Sequence, residues 1–153
     1  MFLHGWGLSD QTYKRALGRL ARAGVRVIAP SLPGFGGTAP LPNRDFGLEG
    51  YAQWVADFLA EIGVDGPWYL GGHSFGGGVA ITTAHRYGED LRLLVLVNSI
   101  GGSVWKGSRR GPRHLSDRPL WDWGIHFPYD VAGPRTFRAV VPVIARDMTR
   151  NLL

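Results

Sequence analysis

The chain has no cysteine in its 153 residues, so a disulfide framework, a thiolate metal site and a cysteine nucleophile are all excluded. It also lacks an H-E-x-x-H pattern, and the expectation is no metal and no cofactor. No G-x-G-x-x-G fits: Gly34 and Gly36 would need a third glycine at Ala39, and Gly76 and Gly78 would need one at Ile81. A phosphate-binding loop over Gly72 and Gly77 would need lysine where Gly78 stands. Long apolar runs are missing too. The longest aliphatic stretch, Leu93–Val97, falls far short of the about 18 residues that a membrane span needs. Met1–Gly5 has neither the basic start nor the long apolar region of a signal peptide. A cytoplasmic protein without a membrane partner is expected.

What is present supports a folded domain. Hydrophobic residues make up 44% and aromatics 12%, enough for a core. The 23 glycines and 10 prolines keep the chain just below the roughly 25–30% that marks low complexity. Charge is uneven. Residues 1–100 hold eight basic and eight acidic side chains, whereas residues 101–153 hold nine and four, so the net +5 lies wholly in the second part. Those basic residues are scattered except for Arg109-Arg110, and no nucleic-acid motif accompanies them. A solvated surface is the expectation, with no nucleic-acid partner.

Short apolar runs alternate with helical patterns, which is the signature of a parallel α/β sheet. Met1–Leu3 reads as a strand stopped by His4-Gly5-Trp6-Gly7. A helix capped by Ser9 or Asp10 follows, with Tyr13, Leu17, Leu20 and Ala21 on one face and Gly24 at its end. Val25–Ala29 reads as a second strand, closed by Pro30. Leu48, Tyr51, Val55, Phe58, Leu59 and Ile62 keep helical spacing. A third strand starts at Trp68, a third helix runs Phe75–Tyr87 and a fourth strand Leu91–Val97. Beyond Gly101-Gly102 the texture changes: residues 103–133 have no clear period. Phe137, Val140, Val141, Ile144, Ala145 and Met148 then form an apolar stripe, bent or divided at Pro142.

The chemistry gathers at Gly72-His73-Ser74-Phe75-Gly76, a G-x-S-x-G with an apolar strand before it and a helix after it. A serine in so tight a turn is held in a strained conformation, with its hydroxyl exposed at the carboxyl edge of the sheet. Flanking glycines remove the Cβ atoms that would clash, and the helix start offers free N–H groups to an oxyanion. His4-Gly5-Trp6-Gly7 is a second glycine turn at a strand end.

Together these segments resemble the α/β-hydrolase-fold superfamily, in its serine-nucleophile branch. The matches are FLHGWG, VIAPSLPGFGGT, YLGGHSFGGGVAI and LVLVNS, in that family's order, within residues 1–100. The resemblance implies a partial hydrolase core over residues 1–102 and the start of a helical cap over 103–153. Ser74 matches the nucleophile, and the backbone N–H groups of Trp6 and Phe75 match the oxyanion-hole donors. Gly72, His73 and Gly76 complete the elbow around Ser74. Serine at this position argues against the branches that attack through a carboxylate. Ser31 stands where the family commonly has an acid before Leu-Pro-Gly-Phe-Gly.

The rest of a triad is not legible. Serine needs a general base, and the base needs a carboxylate to orient it. His4 matches a structural position, His73 neighbours Ser74 with a differently directed side chain, and His85 lies about 16 Å along the helix. His114 and His126, like Asp117, Asp122, Asp130 and Asp147, fall in or after the cap-like stretch. Where some relatives place the acid there is Asn98-Ser99. The resemblance puts the acid and histidine on later strands, and two further strands before Met1, so a domain truncated at both ends is expected. Acyl transfer on a small to medium apolar substrate follows from it, with Trp105, Trp121, Trp123, Phe127 and Tyr129 shaping access. Carbon–carbon hydrolysis, perhydrolysis and lyase chemistry use the same parts and stay open. So does the alternative of an inactive fragment or a binding protein on the same scaffold.

Overall fold

The computed structural model describes residues 1–100, a strand pair at 104–105 and 113–114, and the helical positions Pro142, Ala145, Arg146 and Thr149. The first hundred residues form a three-layer α/β unit. Strand β1 (Phe2–Leu3) leads into helix α1 (Asp10–Arg22), and a 3-10 turn (Asn43–Asp45) precedes helix α2 (Leu48–Glu61). Then come β2 (Trp68–His73), α3 (Phe75–Tyr87) and β3 (Leu91–Val97). The sheet order is β1-β2-β3, parallel throughout. Phe2 and Leu3 stand opposite Gly71 and Gly72, while Gly72 and His73 stand opposite Leu96 and Val97. The carboxyl ends of all three strands therefore lie at one edge, where β1 and β2 turn into helices.

The core forms where α2 and α3 press on the sheet. Tyr51, Val55 and Leu59 of α2 meet Val79 and Ala80 of α3, with Leu3 and Leu70 from the sheet and Leu32 and Phe35 from the intervening loop. Trp54 and Phe58 stack at 5.1 Å on the flank of α2, and Ile62 is left exposed. An ion pair, Arg86 to Glu49 at 2.7 Å, and the Tyr87 hydroxyl bonded to Gln53 tie the outer faces of the two helices. No helix among the described residues is long and apolar enough to cross a membrane.

Two expectations need correction. Val25–Ala29 is not a regular strand: it runs beside β1, and the Phe2 N–H donates to the Ile28 carbonyl at 2.8 Å. Pro30, which closes the segment, has no N–H to extend a ladder. The apolar face of α1 is also shallower than its spacing implies. Tyr13 and Leu17 are partly buried, but Leu20 and Ala21 are exposed. The large side chains of β3 also stay exposed, Leu93, Val95 and Val97 on one face of the strand and Leu96 on the other.

Further along, β4 (Val104–Trp105) and β5 (Arg113–His114) pair antiparallel, a hairpin that the irregular sequence does not announce. Of the apolar stripe near the end, Ala145 is helical and exposed. The cap aromatics Trp121, Trp123, Phe127 and Tyr129, together with His126, lie outside the described residues, and so do the side chains of Trp105 and His114.

Candidate active site

Ser74 separates β2 from α3, and its backbone adopts φ 51° and ψ −116°. That is left-handed territory, which costs a non-glycine residue of order 1–3 kcal/mol and persists only where the surroundings enforce it. The enforcement is visible. The Ser74 N–H donates to the Val97 carbonyl at 3.0 Å, tying the turn to the end of β3. The Ser74 carbonyl accepts from the N–H groups of Gly77 at 3.0 Å, Gly78 at 3.2 Å and Ile100 at 3.1 Å. Glycine is required on both sides of the turn. A Cβ on Gly72 would collide with the Gly76 backbone, and one on Gly76 would collide with the carbonyls of Leu3 and His4. The sequence GGHSFGGG thus folds α3 back against the ends of β1 and β2 at backbone contact distance.

The second turn is held by different means. His4 is 1% exposed, and its Nε2 accepts from the Leu32 N–H at 2.8 Å. That bond leaves the proton on Nδ1, which donates to the Gly5 carbonyl at 2.9 Å. The Leu8 N–H reaches the same carbonyl at 3.1 Å. A trans peptide is planar, with N–H and C=O on opposite sides. Two donors on the Gly5 oxygen therefore aim the Trp6 N–H the other way. The same geometry governs the Ser74–Phe75 peptide, whose carbonyl carries three donors and whose N–H belongs to Phe75. Among the described residues, no backbone carbonyl accepts from the N–H of Trp6 or Phe75.

Aromatic rings surround these two amides. Trp6 packs edge to face on Phe75 and Phe35 at 5.1 Å each and on Phe46 at 6.2 Å. Tyr51 closes the circuit, 5.1 Å from Phe75 and 6.1 Å from Phe46, and its hydroxyl donates to the Pro33 carbonyl. Trp6 is 56% and Phe46 59% exposed, so the ring of aromatics presents an open apolar wall beside Ser74. Phe46 carried no signal in the sequence, because it lies in a turn-rich loop without periodicity.

Of the sequence-selected residues, Gly72, His73, Ser74, Phe75 and Gly76 form one continuous turn, and Trp6 contacts it through Phe75. Neither described histidine near the turn is free to serve Ser74. His4 is committed as above, and the Tyr13 hydroxyl, whose oxygen takes a backbone hydrogen bond from Gly5, directs its own proton to His73 Nδ1 at 2.7 Å. Burial lowers the His73 pKa from its ordinary 6.5, and burial pushes Tyr13 up to about 12 against a backbone hydrogen bond with Gly5. Both are neutral near pH 7. Tyr13 was legible only as a core position of α1. His85 lies near the far end of α3, as its spacing predicts. Ser31 also finds its acid: its hydroxyl donates to Asp10 Oδ1 at 2.8 Å and accepts from the Asp10 N–H at 3.1 Å. The carboxylate therefore comes from the start of α1, and the loop is held all the same. Among the described residues, no group of three His, Asp or Glu side chains could hold a metal.

The chain is similar to known proteins. A family model described as "Alpha/beta hydrolase family" matches residues 1–152. A pimeloyl-[acyl-carrier protein] methyl ester esterase of Aromatoleum aromaticum is 39% identical over 99 residues, covering 65% of this chain and 36% of the relative. Lipase 1 of Psychrobacter immobilis is 29% identical over 101 residues, covering 66% of this chain and 31% of that lipase. Among solved structures, a thermophilic esterase from Thermogutta terrifontis superposes with a TM-score of 0.60 at 33% identity, over 64% of this chain and 35% of the esterase. The chain thus spans about a third of the length of these relatives. Its strand–elbow–helix unit, its sheet and its match over nearly every residue place it in one group: the chain belongs to the alpha/beta hydrolase family.

Proposed function

We propose that this chain carries the nucleophile and oxyanion-binding half of a serine hydrolase that cleaves esters of small to medium apolar acids or alcohols. The observation that supports it most is the pair of anchored peptide planes around a positive-φ serine. In this reading Ser74 Oγ attacks the ester carbonyl while a base takes its proton. The Trp6 and Phe75 N–H groups then donate to the oxyanion, whose negative charge they receive without reorganising because their carbonyls are already held. The alcohol leaves with a proton, and water releases the acyl group from Ser74 by the same route. The exposed faces of Trp6 and Phe46 supply the apolar contact. The esterase and lipase names of the relatives agree with this chemistry, and the substrate is a small molecule.

One observation favours a second reading for the 153-residue chain on its own: His4 and His73 are both committed elsewhere. Loss of the base in a comparable triad costs about 10⁶ in kcat. The isolated chain is therefore expected to hydrolyse a short p-nitrophenyl ester barely above background, and to label poorly with a fluorophosphonate. A chain extended in frame by strands bearing an Asp and a Gly-His should do both, and Ser74→Ala should abolish labelling. Turnover that survives Ser74→Ala would overturn the nucleophile assignment. Strong turnover by the short chain, lost on Ser74→Ala, would show that a base such as His114 or His126 is already present.

A further inference from the structure

The residue before the candidate nucleophile does something that the acyl-transfer reading leaves unused. His73 ends β2, and its ring turns away from the elbow toward α1 and the first glycine turn. Its Nδ1 accepts the Tyr13 hydroxyl at 2.7 Å, and the two rings lie 5.8 Å apart. Behind Tyr13 stands Phe2 of β1 at 4.8 Å. In front is Gly5: a Cβ built there would lie 2.9 Å from His73 Nδ1 and 3.4 Å from Cε1. The imidazole therefore fills the spot where any other residue would carry its side chain. Gly5 is also the residue whose carbonyl aims the Trp6 N–H.

We propose that His73 and Tyr13 are a positioning pair for the Gly5–Trp6 peptide, holding it from its α-carbon side while His4 and Leu8 hold its carbonyl. The pair joins the two halves of the candidate site mechanically. His73 is covalently next to Ser74, and its ring is the surface on which the turn bearing Trp6 rests. Gly5 is then needed for close approach and not for its backbone angles. The Tyr13 hydroxyl fixes the ring's rotation, because a donor on Nδ1 selects the tautomer with its proton on Nε2.

The surroundings make the ring a sensitive support. From α1 the titratable group that faces His73 is Tyr13; the turn offers Gly5, and β3 places Val97 opposite it in register. No charged side chain among the described residues contributes to its shift, which burial alone causes. A proton arriving on Nδ1 would force the Tyr13 hydroxyl to give up its donor role and reorient. The Gly5 α-carbon, whose missing Cβ would stand 2.9 Å from the same nitrogen, would feel the change.

The role as an oxyanion support rests on the acyl-transfer reading, whereas the coupling of His73 to Trp6 does not, and one experiment separates them. The 153-residue chain, labelled with ¹⁵N and ¹³C, is titrated from pH 8 to pH 5 while the His73 Cε1–H and the backbone amides are followed by NMR. The amides of Gly5 and Trp6 are expected to shift with the His73 midpoint, which should lie below 6.5. Tyr13→Phe removes the donor that favours the neutral ring, so it should raise that midpoint and displace both amides. His73→Gln, which can still accept from Tyr13, should keep the Trp6 amide near its original position and abolish its pH dependence. Gly5 and Trp6 amides that stay fixed while His73 titrates would overturn the proposal, and this arm needs no variant to fold. Phenylboronic acid added to the chain extended in frame by the strands bearing an Asp and a Gly-His, which supply a base for Ser74, tests the other half. If it perturbs neither Ser74 nor the Trp6 and Phe75 amides, the acyl-transfer reading fails while the coupling stands or falls separately.

Discussion

The two turns at the carboxyl edge of the sheet reach the same end by opposite means. The elbow at Ser74 is fixed by backbone alone: four main-chain hydrogen bonds on one residue, and glycines where α3 meets the strand ends. The turn at Gly5 is fixed by side chains, with His4 beneath its carbonyl and His73 and Tyr13 against its α-carbon. A backbone lock tolerates changes of side-chain chemistry but no added volume. A side-chain lock tolerates little change of chemistry, and it can respond to solvent conditions. One site thus has a rigid half and a tunable half.

The strongest way to break the comparison is Gly76→Ala. Its new methyl would meet the carbonyls of Leu3 and His4, and backbone cannot swing aside as a side chain can. A loss of about 3 kcal/mol or more, at the top of the usual overpacking range, should appear in urea denaturation followed by circular dichroism. A loss below about 1 kcal/mol would mean that α3 is free to slide. Next is His4→Ala, which leaves the buried Leu32 N–H without its acceptor and opens a void. About 2–3 kcal/mol is expected on the same measurement. The elbow amides of Gly77 and Gly78 should keep their hydrogen-exchange protection, and their loss would show that the two locks are one.

The sequence announces the rigid half far better than the tunable one. β2, α3 and β3 follow from a short apolar run, a glycine turn and a helical stripe that agree with one another. The turn's φ follows from G-x-S-x-G in that setting. The contacts of the other half join residues remote along the chain. Tyr13 and His73 are 60 positions apart, Asp10 and Ser31 are 21 apart, and no local pattern marks either pair. Val25–Ala29 misled because its composition is that of a strand, whereas beside β1 it takes no regular ladder. The face of α1 misled because periodicity says which side chains could be covered, not what covers them.

Smaller effects sharpen the contrast. Ser74→Gly relieves the left-handed strain, so it should raise stability by about 1 kcal/mol while removing the candidate nucleophile. A drop in stability would mean that the hydroxyl itself holds the turn together. The smallest expected effect is on pH dependence. The folded-state pKa of His73 is depressed, so an unfolded chain binds more protons than the folded one below about pH 6.5. Its contribution to stability is full above that pH and falls on acidification until the folded-state pKa is passed. In His73→Gln that component should vanish from a comparison of urea midpoints at pH 7.5 and 5.5. A slope unchanged by the substitution would assign it to another group.

The hydrogen bond from the Ile100 N–H to the Ser74 carbonyl makes one proton into a clock. That amide can exchange with solvent only while the carbonyl has let it go. Ile100 lies just beyond the carboxyl end of β3. Its exchange rate in heavy water therefore counts the openings of the elbow, with no substrate, inhibitor or turnover required. An elbow that opens only when the whole domain unfolds would give Ile100 the slowest class of exchange in the molecule, alongside the interior amides of β2.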